Sequence, residues 1–86
     1  MKLYRICTEN KNREQVEQAV GILFDGFTVY ETTGYWQRKQ EASLVIEILA
    51  EDEDRSKVKS IATTIRDFNK QECVLVQVME IEAKFV

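Results

Sequence analysis

Hydrophobic positions in residues 2–8 mix aromatic, β-branched and aliphatic types with no helical period, the pattern of a strand. Residues 9–12 are polar, and Asn10 or Asn12 is placed to cap a helix; Asn12 with Gln15 three positions later loosely fits a capping box. Val16, Ala19, Val20, Leu23 and Phe24 then fall on one stripe of an amphipathic helix, with Gly26 expected as the left-handed residue that ends it. Residues 27–33 read as a second strand, Phe27 and Val29 pointing one way and Thr28 and Tyr30 the other. Gly34 marks a turn or bulge. Residues 34–42, polar and charged apart from Tyr35 and Trp36, read as a loop. The third strand, residues 43–50, is apolar on nearly both faces from Leu44 to Leu49 and belongs in the middle of a sheet.

Acidic residues 51–54 precede a second stripe made by Val58, Ile61, Ala62, Ile65 and Phe68. There they favour the positive end of a helix dipole and supply its cap; a metal site is the sharper alternative, but acidic helix starts are common. Lys70 complements the other end of the dipole. From Cys73 the chain is extended again. Met79, Ile81, Ala83 and Phe85 alternate with Glu80, Glu82 and Lys84, which predicts a strand running close to residue 86, with a slip of phase near Val78.

The order strand, helix, strand, strand, helix, strand predicts one α+β domain over residues 1–86 with a ferredoxin-like βαββαβ fold. Right-handed crossovers give an antiparallel sheet of spatial order 4-1-3-2 with both helices on one face. Nothing in the chain covers the other face, where Val45, Leu49 and Tyr30 are expected. A broad exposed apolar sheet face is uncommon in a monomer, so a homo-oligomer, trimer or dimer, is the expectation.

Composition sharpens this picture. The 86 residues are 44% hydrophobic and 31% charged, ordinary for a globular domain, and with no proline and three glycines the chain has little room for long loops. A net charge of −3 repels phosphate backbones and anionic lipid, and the glycine-aromatic signature of an RNA-binding sheet is missing. No apolar run is long enough to span a bilayer, and the charged, strand-like first residues do not resemble a signal peptide; a cytoplasmic protein is expected. There is no histidine, which removes the Ser-His-Asp and Cys-His arrangements, and two cysteines alone do not complete a zinc site. No cofactor is expected, and the case for an enzyme weakens. Cys7 and Cys73 fall on neighbouring antiparallel strands; two buried thiols behaving as small hydrophobes is the plainer reading, a redox disulfide the alternative.

Asp25-Gly26-Phe27-Thr28-Val29-Tyr30 and Gly34-Tyr35-Trp36, followed by Glu41-Ala42-Ser43 leading into Glu47, resemble the same region of small uncharacterised bacterial domains in the PII-like superfamily. That resemblance implies the ferredoxin-like fold, trimers, ligands held in clefts between subunits, and a recognition loop between the second and third strands, here from Tyr35 to Glu41. The chain departs from PII signalling proteins in being shorter and in lacking a glycine-rich phosphate loop after the second helix, so nucleotide binding is not carried over.

Trp36, the only tryptophan, stands beside Tyr35 and ahead of Gln37, Arg38 and Lys39. An aromatic pair with neighbouring cations suits a flat or anionic ligand or a protein partner, against the plainer reading that Trp36 packs on a sheet edge. Glu47 lies inside an apolar strand and needs a partner; Arg5 on the adjacent strand supplies one, and a ligand-binding or basic role is the alternative. Glu41 and Ser43 with Arg38 and Tyr35 would line a small polar pocket, which turn chemistry explains equally well. The leading expectation is a non-enzymatic oligomeric binding or regulatory module, for a small molecule or a protein, acting through residues 35–43. A small enzyme with a pocket on the open face lined by Glu47, Tyr30 or Arg5 is the second. The third is an acidic protein-interaction factor, for example one carried by a mobile element.

Overall fold

A computed structural model describes all 86 residues. The elements are β1 (Lys2–Glu9), α1 (Arg13–Gly21), β2 (Thr28–Trp36), β3 (Lys39–Ala50), α2 (Arg55–Asn69) and β4 (Leu75–Glu80), with a 3-10 turn at Asp52–Asp54 leading into α2. The strands form one antiparallel sheet ordered β2-β3-β1-β4, the arrangement the sequence predicts, and the fold is the α+β ferredoxin-like one.

Strand alternation and the helix stripes meet in a single core. Tyr4, Ile6, Leu44, Ile46 and Ile48 point from β1 and β3 toward Val16 and Val20 of α1 and Val58, Ile61 and Ile65 of α2, and these ten residues are buried together. Tyr4 is fully buried and its hydroxyl donates to Glu51 O at 2.8 Å, so its one polar atom is satisfied. Burial raises the Tyr4 pKa above its ordinary value.

The helix ends differ from the expected ones. Asn12 takes a left-handed conformation (φ 55°) and makes no side-chain cap; its Nδ2 donates instead to Asn69 Oδ1 at 2.8 Å. Asn69, 1% exposed, donates in turn to Lys11 O at 3.2 Å, and Lys11 Nζ donates to Asn69 O at 2.9 Å. A buried amide needs such partners, so the start of α1 is fastened to the end of α2. α1 ends at Gly21, well before Gly26, which has no positive φ and is not its cap. α2 ends with Lys70 in the left-handed region (φ 55°), and Gln71 N–H returns to Arg66 O at 2.9 Å. At its start, Glu51 N–H donates to the Asp54 carboxylate at 3.0 Å, the local capping role expected of the acidic cluster.

Two strand boundaries also differ. Residues 34–42, expected as a loop, are the ends of β2 and β3, and only Gln37 and Arg38 turn the hairpin, with φ of 51° and 66°. Positive φ at both turn positions matches the twist of a two-residue hairpin, which lets the ladder close tightly. β4 stops at Glu80; one further bond, Ile81 N–H to Met1 O at 3.1 Å, ends the pairing, and residues 82–86 have no ladder partner.

Ile46 stands opposite Ile6 and Val29 and is fully buried, so Ile46→Ala should destabilise the fold by about 3 kcal/mol. On a domain this size that lowers the melting temperature by roughly 15 °C, measurable by thermal unfolding.

Candidate functional site

The helix-free face of the sheet carries Leu3, Arg5 and Cys7 from β1, Val45, Glu47 and Leu49 from β3, Thr28 and Tyr30 from β2, and Leu75, Gln77 and Met79 from β4. These positions follow from register: Arg5 stands opposite Glu47 on one side and Gln77 on the other, and Thr28 stands opposite Glu47. At its centre three donors converge on one carboxylate oxygen. Arg5 Nε and Nη2 donate to Glu47 Oε2 at 3.1 and 2.9 Å, and Tyr30 Oη donates to the same oxygen at 3.2 Å. Glu47 Oε1 and Arg5 Nη1 take no part in these bonds. The ion pair expected between Arg5 and Glu47 is therefore present, and it is half-buried among apolar neighbours.

The environment tunes the surrounding groups. Burial, and then the Glu47 charge and hydrogen bond, raise the Tyr30 pKa above 10.0. Burial likewise pushes the Cys7 thiol up, while Arg5 pulls it down. Cys7 Sγ lies 4.0 Å from Gln77 Oε1. Cys7 is half-buried and Cys73 exposed, both with free thiols, so the expectation of two buried thiols fails, most clearly at Cys73, which precedes the start of β4.

The other expected residues lie elsewhere. β1 pairs with β3 only from Ser43 onward, so Gly34–Trp36 and Lys39–Glu41 form a two-stranded arm beyond the third strand. Trp36, 50% exposed, shares the open face with Tyr30 but lies six residues along β2 from it, about 20 Å away at strand rise. Tyr35, 72% exposed, points to the opposite face, and Arg38 sits in the turn. Residues Tyr35, Arg38, Glu41 and Ser43 do not make one pocket: Ser43 is buried beneath Gly34, with Glu41 opposite that glycine. A Cβ on Gly34 would sit 2.7 Å from Ser43 Oγ, so glycine is required there for close approach rather than for a turn. Gln77, beside the ion pair, was not singled out by sequence reasoning; only the β1–β4 register reveals it, next to Cys7.

No protein-family model matches the chain, and no curated protein matches its sequence. Among the solved structures that share its fold are two of different description. One is a DUF3240 family protein from Shewanella baltica OS155, with a TM-score of 0.77 and 14% identity over 99% of this chain and 93% of that one. The other is a phage SAM lyase in its apo state, with a TM-score of 0.72 and 18% identity over 91% of this chain and 78% of that one. At these identities the likeness speaks for the fold.

Gly34→Ala should cost about 1–2 kcal/mol through the clash with Ser43, and adding Ser43→Ala should recover most of it in a thermal-unfolding double-mutant cycle. Glu47→Gln removes a negative charge and an ionic acceptor from Tyr30. Its phenol should then ionise at lower pH, followed by tyrosinate absorbance.

Proposed function

We propose that the open sheet face around Glu47 is a small-molecule site, that further copies of the chain close over it, and that its ligand is S-adenosylmethionine, cleaved in a lyase reaction. The convergence of Arg5 and Tyr30 on one oxygen of Glu47, within an apolar face, carries this reading. The arrangement holds opposite charges side by side with bonding capacity left over: Arg5 Nη1 for a carboxylate, Glu47 Oε1 for a cation. A zwitterionic amino-acid head meets both demands. A sulfonium is attracted to a carboxylate and to aromatic faces, which Tyr30 and Trp36 supply. The fold shared with a phage SAM lyase favours this ligand over other zwitterions.

The chemistry suits the surroundings. When the carbon–sulfur bond breaks, its electron pair returns to sulfur and the sulfonium charge disappears, while an oxygen of the ligand's own carboxylate bonds to the carbon that sulfur leaves, giving a neutral thioether and a lactone. With a second copy closed over apolar neighbours such as Leu3, Val45 and Leu49, the site would favour that loss of charge. In one chain Trp36 is too far from Glu47 to share a ligand; the arm of a second copy would bring another Trp36 to the same face. The PII-like resemblance of residues 25–47 supports copies meeting around such a site. Free thiols at Cys7 and Cys73 fit a reducing, cytoplasmic setting, and no helix is long and apolar enough to cross a membrane.

One observation favours a binding module without turnover: Glu47 is already engaged by Arg5 and Tyr30, which leaves no unpartnered base. Calorimetry with S-adenosylmethionine and its neutral thioether relative S-adenosylhomocysteine tests the ligand. The sulfonium compound should bind at least about tenfold tighter, and Glu47→Gln should remove most of that preference. Chromatography of the incubated mixture should then show a neutral thioether released by the native protein and not by the variant. Saturable binding with no product assigns the regulatory module instead, and an absence of binding sinks the reading.

A further inference from the structure

The geometry points to a second interface, independent of the ligand reading: residues 82–86 of one copy pair with the free edge of β4 in another. Three observations meet there. β4 is an edge strand, so its outer N–H and C=O groups have no partner within the chain. Residues 82–86 follow β4 and carry the alternation of a strand in their sequence, yet find no ladder, and Phe85 is left 88% exposed. Alongside the edge runs a groove of about 430 Å³ between β4 and α2, floored by Val74, Val76, Val78 and Ala62 and rimmed by the cations Arg55, Lys59 and Arg66. Arg55 and Arg66 are paired with Asp52 and Asp67, whereas Lys59 makes no ion pair. The groove therefore wants an extended segment with apolar and acidic side chains, and the chain carries one at its own unpaired end.

Antiparallel pairing of two β4 strands about a twofold axis satisfies both copies at once. The register that sets residues 82–86 against residues 74–78 keeps each face in phase. Glu82 of the second copy then stands opposite Val78, beside Lys59 at the rim of the groove. Phe85 stands opposite Leu75 and Ala83 opposite Gln77, so two exposed apolar side chains cover each other on the open face. Lys84, opposite Val76, has a stem long enough to carry its ammonium out to solvent. The sheet becomes continuous through two copies, which removes one exposed edge from each.

Sedimentation across a concentration series tests this. The native chain should associate, and Lys84→Pro, which removes a backbone donor outside every helix and strand and in phase with those turned away from β1, should lower the β4-mediated association constant on the order of a hundredfold, with circular dichroism unchanged. Lys59→Glu and Glu82→Lys should each weaken association about fivefold, and together restore it. That restoration carries the test if Lys84→Pro disturbs folding. A native chain that stays monomeric overturns the inference. So does association that none of these substitutions changes, and in that case the sulfonium site is untouched because none of them lies at Glu47.

Discussion

The β1–β3 ladder is the interaction on which the rest of the molecule depends. Its register places Ile6 opposite Ile46 and Tyr4 opposite Ile48 on the helix side, and Arg5 opposite Glu47 on the other. Because side chains alternate with a period of two, core and ion pair are set by the same hydrogen bonds. A slip of one residue would drive Glu47 into the apolar layer and bring the isoleucines out. The hydrophobic demand of the core thus holds a charged pair in place at a site where the pair itself has little power to choose its register. β2 and β4 are added to this central pair, and their positions decide what lies beside the carboxylate: Tyr30 from one side and Gln77 from the other.

Much of this was legible because the informative residues sit in the centre of the sheet. An apolar run such as Leu44 to Leu49 has few places to go in a small α+β domain, and one carboxylate within it requires a cation on a neighbouring strand. Arg5 was the available partner once the strand order was inferred. Tyr30 was named for its face, and its hydrogen bond to Glu47 follows from the diagonal relation of the two positions.

The misreadings arose where local composition and tertiary context disagree. Residues 37–42 are polar enough for a loop, but an arm open to water on both faces needs no apolar alternation, so its ladder leaves no hydrophobic signature. That error drew Tyr35, Arg38, Glu41 and Ser43 into a pocket that a straight hairpin spreads out. The opposite happened at the other end: residues 82–86 alternate as a strand should, but the pairing with β1 ends at Ile81. Asn12 looked like a cap because asparagine caps are common; the pull of Asn69, far away in sequence, was invisible locally.

The stitch between Asn12, Lys11 and Asn69 also bears on how the domain breathes. α1 is nine residues long and starts without a side-chain cap, too short to hold itself together outside the fold. Its first turn borrows order from the last turn of α2, across 57 residues of sequence. Fraying at either end removes the partner that steadies the other, so the two helices open as one cooperative unit on that flank. Amide exchange in the first turn of α1 then reports the same opening as exchange in the last turn of α2. The hairpin arm, which shares no bond with that stitch, is left to fluctuate by itself.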